Sequence, residues 1–153
     1  MAEQTTRRMT ISASPERVWQ ALIDFDRYHE WAPDLKEAAV VEHDQDGRAT
    51  QVTFRAAAMG RSTSYTLAYD YARAPHELTW HLAAGDIMRR LDGSYTLDPV
   101  DGEPHATDVT YDLAVELVLP LPGFVKRRAE ARIIHTALEE LKDYLESDQK
   151  ASA

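Results

Sequence analysis

The chain contains no cysteine, which excludes disulfides, thiolate metal sites and a thiol nucleophile and fits a reducing interior. No apolar run approaches the ~20 residues that a membrane-spanning helix needs, so no stable membrane insertion is expected. The opening, MAEQTTRRMTISASP, lacks the apolar core of a secretory signal, and a soluble cytoplasmic domain is the expectation. Basic residues are the minority, 17 against 26 acidic ones, for a formal net charge of −9. So acidic a chain is not a nonspecific nucleic-acid binder. There is no GxSxG elbow, no GxGxxG and no glycine-rich phosphate loop, which removes the commonest hydrolase and nucleotide-binding chemistries. His29, His43, His76, His81, His105 and His135 show neither HxH nor HExxH spacing, so no metal and no cofactor are expected.

What remains is a chain of 153 residues, 44% of them apolar, the size and composition of one globular domain. It is expected to be a single domain over 1–153, ordered from about 5 to 147, with a flexible tail from 148 to 153. Thr5 to Ile11 reads as a strand. Ser14-Pro15-Glu16 follows, a cap oxygen, a proline at the first helical position and an acid near the positive helix end. Val18, Trp19, Leu22 and Ile23 give that short helix its apolar face, and Tyr28 to Trp31 reads as one more short turn closed by Pro33.

From Leu35 the period changes from helical to alternating. Asp44 to Gly47 is a hairpin signal. Phe54 shares a strand face with Val52 and Ala56; Tyr65 and Tyr69 share one with Leu67; Trp80 and Leu82 share one with Leu78. Leu91 and Tyr95 fall on one face of the next strand, Tyr111 and Leu113 on one face of the last. Such alternation predicts an antiparallel meander with one covered face. After Pro120 and Pro122 the period returns to 3.6. Ala131, Ile134, Ala137, Leu138, Leu141 and Leu145 form a stripe on a helix expected from about Gly123 to Ser147, with Arg128 and Arg132 on the opposite face. The order is strand, two short helices, six strands, one long helix, an α+β chain whose terminal helix must lie on the sheet.

Four phrases resemble the START-like (Bet v 1-like, SRPBCC) superfamily and its polyketide cyclase/dehydrase-like branch: ISASPERVWQALIDFDRYHEWAPDLKEAAVVE (Ile11 to Glu42), GSYTLDP (Gly93 to Pro99), TDVTYDLAVEL (Thr107 to Leu117) and LPGFVKRRAE (Leu121 to Glu130). The resemblance implies a helix-grip fold, a curved seven-stranded antiparallel sheet wrapped around the C-terminal helix, with two short helices between strands 1 and 2. It also implies an apolar cavity between sheet and helix. Members of the superfamily are hydrophobic-ligand carriers, polyketide aromatase/cyclases or modules that act on other proteins. All three readings stay open here, with binding of a lipid-like or polyketide-like molecule placed first.

On that topology, strand parity turns Phe54, Tyr65, Tyr69, Trp80, Leu82, Leu91, Tyr95, Tyr111 and Leu113 toward the helix, with Phe124, Ala131 and Ile134 facing them. So many tyrosines on one concave face leave hydroxyls in need of partners, which a ligand or water supplies. Met59, Ile87 and Leu121 are apolar residues in turns and are assigned, with Arg128, to the cavity mouth, where membrane or protein docking is left open. Arg61, Arg89, Arg90, Lys126, Arg127, Arg128 and Arg132 gather near the same end. Arg89 shares parity with Leu91 and so points inward, unless a bulge after Asp86 turns it out. The sequence names no catalytic residue.

Overall fold

In a computed structural model, which describes residues 4–58, 61–118 and 121–152, the alternating segments form one antiparallel sheet. β1 (Gln4–Ile11) is followed by α1 (Pro15–Ile23) and a 3-10 helix (Phe25–Glu30). The meander then runs β2 (Leu35–His43), β3 (Ala49–Ala58), β4 (Arg61–Asp70), β5 (Glu77–Gly85), β6 (Met88–Val100) and β7 (Glu103–Leu117). Each strand pairs with the next, and β1 closes onto the far side of β7, giving the order β1-β7-β6-β5-β4-β3-β2. This is the helix-grip fold, α+β, seven strands against a long C-terminal helix.

Local chemistry accounts for the corners. The Ser14 hydroxyl accepts the Arg17 amide at 3.2 Å, with Pro15 at the first turn of α1. At the β2–β3 hairpin, Gly47 takes a φ of +80°, and the Asp44 carboxylate accepts the amides of Asp46 and Arg48, both at 2.9 Å. Glycine reaches that backbone region without steric cost. Between Pro99 and Pro104 the connection is a tight turn: β6 continues to Val100 and β7 begins at Glu103, around Asp101-Gly102. Gly102, with a φ of +77°, makes the turn.

The long helix is not uniform. α2 (Gly123–Ile134) leads into a π-helical segment (His135–Glu140), and α3 (Leu141–Ser152) continues past Ser147 through most of the expected tail. The helix also sits off-centre. Its segments pack on β1 and β7, where Leu138, Leu141 and Leu145 are buried against a core that includes Ile11, Val109 and Leu113. The 3-10 helix packs on β2, its Phe25 and Tyr28 rings reach Phe54 of β3 and Tyr69 of β4, and between this cover and α2 a space remains.

Three expectations are corrected by this placement. Leu113, assigned to the cavity, is fully buried on β7, under the helix where packing is dry. Ala131 and Ile134 face a shallow groove beside Arg7 and Met9 of β1: the stripe rests on that edge of the sheet, and only its flank looks into the space. Phe124 is 59% exposed at the start of α2 and does not line the cavity. Met59, assigned to the mouth, lies outside the described residues with Gly60, as do Leu119 and Pro120.

Candidate ligand-binding site

The space is a cavity of about 300 Å³. Phe54, Tyr65, Tyr69, Trp80, Leu91, Tyr95 and Tyr111 all line it, each from a strand position whose parity faces the helix. Their rings touch in series. Phe54 lies 5.6 Å from Tyr65, Tyr69 lies 6.0 Å from Trp80, and Trp80 lies 5.6 Å from Tyr95 and 5.7 Å from Tyr111, centroid to centroid. All are tilted pairs rather than face-to-face stacks, in keeping with the quadrupoles of aromatic rings. Ile87, half-exposed, lines the cavity at its opening.

Two strand assignments move. Leu82 is partly buried and leaves the wall, its methyl 3.4 Å from where a Cβ at Gly85 would stand. Leu82 pairs with Leu67, and the register shifts just beyond it, between Thr66 and Leu67, where Ala83 is left unpaired on β5. Arg89 is exposed. A shift between Met88 and Arg90 breaks the alternation, so that Met88 and Leu91 face inward and Arg89 faces water. Desolvation drives that choice, because an inward guanidinium would need a buried partner. Leu121 and Arg128, assigned to the mouth, are exposed and do not line the cavity.

Sequence reasoning missed the outer wall. Tyr28, Trp31, Ala32, Asp34 and Leu35 come from the 3-10 helix and its exit, and Ala129, Arg132, Ile133, Thr136 and Ala137 from the flank of the long helix. The signal was faint: Tyr28 and Trp31 are two aromatics three residues apart in a turn otherwise polar. Arg132 closes on Asp34 with two hydrogen bonds, Nε donating to Oδ2 at 2.6 Å and Nη2 to Oδ1 at 2.9 Å. This bidentate pair ties α2 to the segment before β2. The Asp34 carboxylate thereby stabilises the Arg132 guanidinium and raises its pKa. The Asp34 carbonyl also accepts the Ala57 amide at 2.8 Å, fixing that segment to β3.

The tyrosine hydroxyls divide into two kinds. Tyr95 donates to the Ala137 carbonyl at 2.9 Å, inside the π segment, and Tyr28 donates to the Leu22 carbonyl. The hydroxyls of Tyr65, Tyr69 and Tyr111 have no protein partner among the described residues, yet none is sealed off from the cavity. Burial raises the pKa of all five, so each stays a neutral phenol, able to donate and to accept. A prediction follows from the contrast. Tyr95→Phe removes a made hydrogen bond and should cost about 1 kcal/mol, whereas Tyr69→Phe or Tyr111→Phe should cost less than about 0.5 kcal/mol. Denaturant midpoints of the three variants measure it; equal losses would contradict the division.

No group of three or more His, Asp or Glu among the described residues is arranged to hold a metal ion, and no helix there is long and apolar enough to cross a membrane.

Comparison with known proteins agrees with this architecture. A family model described as polyketide cyclase / dehydrase and lipid transport matches residues 2–146. No curated protein matches the chain. Among solved structures, a START superfamily protein from Mycobacterium smegmatis superposes with a TM-score of 0.86 at 24% identity, over 94% of this chain and 97% of that one. The Zhui aromatase/cyclase from Streptomyces sp. R1128 gives 0.79 at 14% identity, over 100% and 97%. The ginseng major latex-like protein 151 from Panax ginseng gives 0.70 at 11%, over 94% and 97%. At these identities the structures establish the shared fold, and the family model establishes the lineage. The chain belongs to the polyketide cyclase/dehydrase and lipid transport family.

Proposed function

We propose that this protein binds an apolar small molecule bearing oxygen functions, lipid-like or polyketide-like, between the sheet and the long helix. The observation that carries the reading is an aromatic cavity into which three tyrosine hydroxyls open without a protein partner. Rings supply contact area, and the free hydroxyls of Tyr65, Tyr69 and Tyr111 supply points of orientation, the usual division in small-molecule sites. At about 300 Å³ the space stands at the small end for drug-sized ligands, which favours a compact, ring-containing guest over a two-chain lipid. The proposed setting is cytoplasmic, supported by the absence of cysteine.

A cyclase or aromatase is the second reading, supported by the family and by the three phenols, which would polarise a carbonyl held against them. Among the described residues it lacks a free proton acceptor. Asp34, the carboxylate of the wall, is engaged on both oxygens by Arg132, and no histidine lines the cavity. General acid–base chemistry needs a group free to take the proton. Binding without turnover is therefore the reading put forward.

The test is to fill the cavity from its helix side. Ala129 lines the cavity and is half-buried, so Ala129→Phe places a ring in the space. Uptake of an environment-sensitive apolar fluorophore should fall at least about tenfold, while stability changes by less than about 1 kcal/mol. In a filled core, the same insertion costs about 1–3 kcal/mol. Absence of fluorophore binding by the wild type, or retention of it by Ala129→Phe, would refute the site. Ala131→Phe is the control, since Ala131 is exposed on the other flank.

A further inference from the structure

We infer that the end of the molecule carrying the cavity mouth docks on an anionic lipid surface. Four large apolar side chains are exposed there, from Ile87, Val118, Leu121 and Phe124, at 45%, 46%, 44% and 59%. The Val118 amide donates to the Ile87 carbonyl at 2.8 Å, and Leu121 and Phe124 follow along the chain at steps of three residues. Ile87 is both exposed and part of the cavity wall, so one side chain of this set belongs to the outside and to the site alike.

Charge around this patch departs from the rest of the molecule. Lys126, Arg127 and Arg128 stand in the first turns of α2, which has no acidic residue in its first turn and no side-chain cap. Cations at a helix N-terminus oppose the macrodipole, an arrangement that stability alone disfavours and a bound anion reverses. Arg89 is turned outward nearby, on β6 just after Ile87. None of these four cations has an ion-pair partner among the described residues. Nearby acids are engaged elsewhere: Glu130 is buried and accepts the Thr5 hydroxyl, Asp92 pairs with Arg90, and Asp86 holds Thr63 and the Ser64 amide. Glu116 stands opposite Arg90 in the ladder. In a chain of net charge −9, unpaired cations that follow exposed apolar side chains within a few residues, Arg89 after Ile87 and Lys126 to Arg128 after Phe124, match a bilayer interface, where phosphates meet the cations and acyl chains the apolar side chains. An acidic protein would satisfy the cations but leave the apolar side chains without a counterpart. An apolar guest would then pass between bilayer and cavity past Ile87.

The experiment is vesicle flotation with the intact protein. Phosphatidylglycerol vesicles should carry the protein upward at low salt, phosphatidylcholine vesicles should not, and added salt should release it. A Lys126→Gln, Arg127→Gln, Arg128→Gln variant should lose about 100-fold in partitioning, at about fivefold per cation. A Leu121→Ser, Phe124→Ser variant should also fall, through the lost apolar contact. Both variants lie outside the cavity wall, so fluorophore uptake should persist in each. Failure of the wild type to float on phosphatidylglycerol, or flotation unchanged by both variants, would overturn the inference. Binding to polyglutamate in place of vesicles would overturn it too, in favour of an acidic protein. Flotation without fluorophore uptake would leave the docking surface standing and remove the cavity reading.

Discussion

Raised above pH 10, the protein should unfold in a single cooperative step, with phenolate absorbance and loss of β-sheet circular dichroism appearing together. Tyr28, Tyr95 and Tyr111 are buried, and burial holds their pKa values above the ordinary 10.0. A phenol whose folded pKa exceeds its unfolded value keeps its proton in the folded state after the unfolded chain has lost it. Its contribution is complete below about pH 10 and is lost progressively as pH rises toward the folded value. Each such group removes about 1.4 kcal/mol per pH unit in that window, so these three together remove about 4 kcal/mol per unit. Against a typical domain stability of about 5–15 kcal/mol, unfolding falls within about one to four units above pH 10. Tyr71, whose pKa burial pushes up to about 12 despite the opposing Arg48, adds to the slope. A smooth rise in phenolate absorbance with the native dichroism retained would show the rings to be in contact with bulk water.

Gly93→Ala should be among the most damaging single substitutions in the chain. A Cβ at Gly93 would lie 2.5 Å from the Trp80 ring and 2.6 Å from the Asp112 carbonyl. Neither neighbour yields cheaply. Trp80 is directly across from Gly93 in the β5–β6 ladder, with its ring held by Tyr69, Tyr95 and Tyr111. Asp112 is ladder backbone of β7, paired with Ser94. Relief requires either parting β6 from β7 or pushing the indole into the cavity, and the cost should reach or exceed the upper end of about 1–3 kcal/mol for overpacking. The two routes are separable. If the indole moves, fluorophore uptake falls and tryptophan emission shifts; if the strands part, the denaturant midpoint falls first. A variant with unchanged midpoint and unchanged uptake would contradict the contact.

The fold was legible because its signals are local. Ser14-Pro15 marks a helix start wherever it falls, Asp44 to Gly47 dictates a hairpin through its own backbone, and strict alternation along β7 admits one buried face. Strand parity also explains why Phe54, Tyr65, Trp80 and Tyr111 share the cavity wall. What stayed hidden depended on neighbours. Arg89 turns outward through an irregularity at Met88 to Arg90 that no glycine or proline announces. Tyr28, Trp31 and Asp34 become wall only because the segment after α1 folds over β3. Gly93 is visible as a strand glycine, but the indole that requires it lies thirteen residues upstream. The helix misled most, because a stripe of spacing three and four names the apolar side without saying which edge of the sheet receives it.

The π-helical segment at His135 to Glu140 divides that helix into two parts under different constraints. A π turn carries more residues per turn than an α turn, so it rotates everything before it relative to everything after it. Downstream, Leu138, Leu141 and Leu145 are committed to the core, at 2%, 0% and 4% exposure. Upstream, Ala129, Arg132 and Ile133 contribute to the cavity and only Glu130 and Ile134 are buried. Removing one residue from the segment would restore a regular α-helix and re-phase α2 while α3 held its place. Ala129 and Ile133 would swing off the cavity, and Arg132 would lose Asp34. The residues that line the cavity and those that anchor the core thus fall largely in adjoining parts of one helix, set in different phase by the π turn between them.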